Sequence, residues 1–91
     1  MNVYAQAANE IIRQQQIIIG PIAYDQARTV KGLRFTDGGD VTIEGDEKQV
    51  LASLVESYST LFGNASVEVC RDAVRDLKPA LKPEELPDVL K

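Results

Sequence analysis

Residues 33–43 read Leu33-Arg34-Phe35-Thr36-Asp37-Gly38-Gly39-Asp40-Val41-Thr42-Ile43, two short runs that alternate apolar with polar side chains around a glycine pair. Such alternation marks a half-buried strand, and Asp37-Gly38-Gly39 supplies the turn chemistry between the two runs. The loop length follows from the side chains. A two-residue Gly38-Gly39 loop would set Phe35 opposite Thr42 and mix apolar with polar residues on one face. A three-residue loop at 37–39 pairs Phe35 with Val41 and Leu33 with Ile43, so four apolar side chains share a face. The longer loop is therefore expected, with a positive φ at Gly38 or Gly39. Two strands alone are marginal in water, so this face needs helices or another chain's strands against it.

Upstream of the hairpin, Tyr4, Ala7, Ala8, Ile11, Ile12, Gln15, Ile18 and Ile19 recur at helical spacing and predict a helix over residues 2–18. Ile17 falls off that stripe, so either the helix ends near Gln16 or this stretch is buried on more than one side. Gly20-Pro21 stops the first helix and starts a second, whose face is Ala23, Ala27 and Val30, with Gly32 as its left-handed cap. Downstream, Asp46 with Gln49 three residues on is a variant capping box, opening a helix with the stripe Leu51, Leu54, Val55, Tyr58, Leu61 and Phe62. Gly63 ends it. A further helix over residues 65–77, capped by Asn64 or Ser66, turns Val67, Cys70, Ala73, Val74 and Leu77 inward and is closed by Pro79. Pro83-Glu84-Glu85 has the chemistry of one more helical turn. The expected fold is a small helix-dominated α+β domain, order ααββα(α), one domain over residues 1–91 with 79–91 a loosely attached tail.

Composition narrows the function. The chain has 91 residues, a net charge of −4, no histidine and a single cysteine, Cys70. Without histidine most nucleophile-base pairs and the usual zinc sites are excluded, and the expectation is a protein that is not an enzyme and carries no cofactor. Cys70, inward between Val67 and Val74, reads as a buried structural thiol, and one unpaired cysteine fits a reducing, cytoplasmic setting. The longest apolar run, Ile17-Ile18-Ile19, is broken by Gly20-Pro21, far short of a membrane span. Four glutamines and one arginine also give the first helix a poor basic face for anionic lipid.

Clustered residues have simple explanations. Asp37, Asp40, Glu44, Asp46 and Glu47 suggest calcium, but their spacing is not that of an EF-hand loop, and turn and cap chemistry account for most of them. Gly38-Gly39 precedes a strand rather than a helix, which is wrong for a phosphate-binding loop. Glu68, Arg71, Asp72, Arg75 and Asp76 form a solvated helix face.

Charge is uneven along the chain: residues 1–36 carry +2 and residues 37–91 carry −6. Arg28, Lys31 and Arg34 are the candidate contacts for an anion such as a nucleic-acid phosphate, a weak signal without interleaved aromatics. Gln15 on an apolar stripe suits a helix interface, where a polar side chain fixes register, or a helix partly open to water. A short chain with so apolar a first helix is expected to self-associate through Tyr4, Ala8, Ile11, Gln15 and Ile18. The function expected is a protein–protein interaction module, a regulatory or adaptor subunit acting as a homodimer. The alternatives are a nucleic-acid-binding regulator and a non-catalytic subunit of an enzyme complex.

Overall fold

The computed structural model describes residues 3–77 and 81–91, and in it the hairpin has the register its side chains require. Strand β1 (Leu33–Phe35) pairs antiparallel with β2 (Val41–Ile43), with Leu33 opposite Ile43 and Phe35 opposite Val41. Thr36 N–H donates to the Asp40 carbonyl at 2.8 Å and Gly39 N–H to the Thr36 carbonyl at 3.0 Å, closing a three-residue loop. Gly39, at φ 89°, takes the left-handed position; Gly38 does not.

Four helices accompany this hairpin among the described residues: α1 (Val3–Ile19), which packs on β2, α2 (Ile22–Ala27), α3 (Glu47–Phe62) and α4 (Asn64–Arg75). The helix-dominated α+β fold in the order ααββαα is the one expected. Asp46 caps α3 by accepting from Gln49 N–H at 3.2 Å, and Gly63, at φ 81°, ends it. Gly63 also precedes α4 directly, so neither Asn64 nor Ser66 caps that helix with its side chain. The expected helix start at Asn2 and the closing Pro79 lie outside the described residues, but α4 ends at Arg75, two residues short of the expected Leu77.

Gly32 has the positive φ foreseen for it but not the role. Helix α2 ends at Ala27, and Gly32 instead opens β1, where its carbonyl accepts from Glu44 N–H at 2.8 Å. A β-carbon there would lie 2.6 Å from Val50 Cγ2, so the hairpin base meets α3 too closely for a side chain.

Helix α1 is the centre of the molecule, packed against α2, α3, α4 and β2. Ala5, Ala7, Ala8, Ile11, Ile12 and Gln15 are all buried, an arc wider than one stripe because neighbours lie on several sides. Its alanines face inward at the N-terminal half, where small side chains admit the hairpin. Asn9 there donates to the Val41 carbonyl (3.0 Å) and accepts from Val41 N–H (2.7 Å) through Oδ1, while Nδ2 also meets the Ala5 carbonyl (2.8 Å). At Val41 the outer edge of β2 is thus satisfied by a side chain in place of a third strand.

The C-terminal segment differs from the loose tail expected. In its described part, residues 81–91, two 3-10 turns (Pro83–Glu85 and Asp88–Leu90) bring Leu81 and Leu90 into the core. Tyr4 O–H donates to the Glu85 carbonyl at 3.0 Å, Lys48 Nζ to the Glu84 carbonyl at 3.1 Å, and Arg71 Nη2 to the Lys91 carbonyl at 3.1 Å. Apolar side chains spaced along the segment hold it, despite its prolines.

Candidate functional site

The five residues expected to form an association surface do not share one. Ala8 and Ile11 are fully buried in the chain's own core, and Tyr4 is half-buried under the C-terminal segment. Gln15 is 1% exposed, and Nε2 donates to the Ser66 carbonyl at 3.1 Å with Cys70 Sγ at 3.5 Å, so it joins α1 to α4 within one chain. A buried amide satisfied in this way replaces the two alternatives drawn for it, an interchain register or water. Of the five only Ile18 faces solvent, at 61% exposure.

Ile18 has company. Among the described residues the exposed large apolar side chains are Ile17 (73%), Ile18, Ile22, Leu61 (55%) and Phe62. All belong to one end of the molecule, where α1 ends, α2 begins and α3 ends. Ile18, Ile19 and Phe62 share a concavity of about 230 Å³ with Ala65 and Val69 of α4, with Gln15 at its wall. Leu61 and Phe62, counted by spacing to the inner stripe of α3, lie past its last buried residue, Tyr58, whose O–H donates to the Ala23 carbonyl at 2.6 Å. Neither alternative drawn for Ile17 holds, since the helix runs on to Ile19 and Ile17 points outward.

A signal for this end was present in the sequence but belongs to charge rather than to hydropathy. Residues 14–24 and 57–67 contain no Asp, Glu, Lys or Arg, in a chain that is 26% charged. Folding brings these two runs together, since Ile18 and Ile19 share a concavity with Phe62 and Ala65, and Tyr58 O–H donates to the Ala23 carbonyl. The C-terminal ends of α1 and α3 therefore present apolar side chains, and Gln16, Thr60 and Asn64, next to them in sequence, are exposed and uncharged.

The basic trio does not converge into an open anion site. Arg28 pairs with Asp25 at 3.2 Å and lies 5.4 Å over the Phe35 ring, while Arg34 pairs with Glu44 at 2.9 Å across the hairpin. Lys31 is exposed with no ion pair among the described residues. Of the acidic cluster, Glu44 is engaged by Arg34 and Asp46 caps α3. Among the described residues no three His, Cys, Asp or Glu side chains gather as a metal site would require. Cys70 is buried, and desolvation raises its thiol from an ordinary 9.0 to about 11, only partly offset by the Gln15 hydrogen bond. It is a protonated core side chain at neutral pH.

No family model, curated protein or solved structure matches the chain. Among the described residues no helix is long and apolar enough to cross a membrane.

Proposed function

We propose that the protein is a non-enzymatic protein–protein interaction module acting as a homodimer, a small regulatory or adaptor subunit whose two copies meet through the uncharged end. The observation that supports this reading is the coincidence of exposure with absence of charge at Ile17, Ile18, Ile22, Leu61 and Phe62. Interface centres are depleted in charged residues, as this end is. A surface that meets its own copy about a two-fold axis must be complementary to itself, and an uncharged apolar patch meets that condition. Two molecules of net charge −4 then join without placing like charges across the seam. Five side chains fall short of the ~800 Å² per partner typical of a stable interface, so Gln16, Thr60 and Asn64 complete the border. The affinity expected is therefore about micromolar.

The buried lone thiol accords with a reducing compartment such as the cytoplasm. The nucleic-acid reading loses support because Arg28 lies over Phe35 while Arg34, the neighbour of Phe35 in β1, points to the other face of the hairpin. Light scattering against concentration tests the proposal. The unmodified chain should approach twice its 10.0 kDa mass, and Leu61→Glu should hold it at the monomer mass with unchanged circular dichroism. A monomer at millimolar concentration would refute the dimer.

A further inference from the structure

A second concavity, of about 360 Å³, lies between α4 and the C-terminal segment, away from the uncharged end. Its apolar lining is Val74, Leu81, Leu86 and Leu90, and its polar lining is Arg71, Arg75 and Lys91. No Asp or Glu side chain lines it among the described residues, although residues 37–91 hold twice as many acids as bases, and the main-chain oxygen of Lys91 there accepts from Arg71. The acids that pair with these cations lie outside the concavity: Glu68 with Arg71 at 2.7 Å, Asp72 with Arg75 at 3.3 Å, and Asp88 with Lys91 at 3.4 Å. All three carboxylates are largely exposed, and solvent-exposed pairs of this kind are weak and screened by salt. An anion within the concavity competes for the same donors with these weakly held carboxylates.

Arg71 is the best placed of the three. Besides Glu68, its guanidinium donates from Nη2 to the Lys91 carbonyl, which fixes its plane, and Nε is buried without an acceptor among the described residues. Nε offers no surface to a ligand, so an anion meets Arg71 through its Nη atoms. A planar guanidinium held in place also suits the two oxygens of a carboxylate.

The geometry points to a binding site for a small organic anion, its carboxylate held by Arg71 with Arg75 and Lys91 and its aliphatic or aromatic body lying on Val74, Leu81, Leu86 and Leu90. The volume limits the ligand to roughly a dozen non-hydrogen atoms, near the lower bound of ligand sites. This site shares no residue with the proposed dimer surface, so either can fail alone.

Titration of the isotope-labelled chain with octanoate and with phenylacetate, followed by amide chemical shifts, tests it. Both should move the Arg71, Val74, Leu86 and Leu90 amides saturably. Octanol, which lacks the charge, and acetate, which lacks the body, should bind at least about tenfold more weakly. Arg71→Gln should abolish saturation. Because Arg71 also ties down the C-terminal segment, the double variant Arg75→Gln/Lys91→Gln serves beside it, both side chains being exposed. That variant should keep its spectrum elsewhere and bind octanoate about tenfold less tightly, with a smaller loss on adding salt. The proposal is overturned if neither carboxylate moves those amides, if octanol binds as well as octanoate, or if the shifts appear instead at Ile17 and Leu61.

Discussion

Asn9 does for β2 what a neighbouring strand would do, since one side-chain amide takes both the N–H and the carbonyl of Val41. Val41 is fully buried, so removing that amide leaves two backbone groups unpaired away from water. Asn9→Leu should lower stability by about 2 kcal/mol, and Val41 amide exchange should accelerate more than that of α3. Unchanged protection of Val41 would mean that the clamp is dispensable. Nothing in the sequence revealed it: Asn9 reads as one more polar residue on a helix, and its partner lies 32 residues away. Gly39 was legible because turn geometry is local. The position has open space around it and φ 89°, so Gly39→Val should cost roughly 1–2 kcal/mol through the backbone alone. Gly38→Ala, without the positive φ, should leave the denaturation midpoint nearly unchanged.

At the level of elements, short-range pattern carried the hairpin register, the Asp46 cap and the existence of all four helices, because each depends on residues within a few positions of one another. The inner and outer sides of α1 were less legible. A hydrophobic stripe says that a helix wants cover, and does not say whether the cover comes from the same chain. Here the chain's own core covers Ile11 completely, while Ile18, two turns on, is 61% exposed. The two positions should therefore separate stability from assembly. Ile11→Ala opens a cavity in the core and should cost about 2–5 kcal/mol. Ile18→Ala should change monomer stability by under about 0.5 kcal/mol while weakening self-association. Equal losses of stability in chemical denaturation of the two variants, both kept dilute enough to be monomeric, would contradict this division. The C-terminal segment was misjudged for a similar reason: prolines and charges signal a tail locally, whereas Leu81 and Leu90 act through contacts with distant helices.

Over the whole molecule, charge organises the surface. Exposed ion pairs three residues apart decorate α1, α2 and α4, and each contributes little to stability. What matters more is where charge is missing, because the two uncharged runs meet at the only end where large apolar side chains are exposed among the described residues. The sequence contained both runs, but only folding shows that they are neighbours. The most direct test of assembly through this end is an isotope-filtered Overhauser experiment on a mixture of methyl-labelled and unlabelled chains at millimolar concentration. Intermolecular contacts are expected among the methyl groups of Ile17, Ile18, Ile22 and Leu61. Intermolecular contacts that instead involve Leu33 and Ile43 of the hairpin, or none at all, would contradict it.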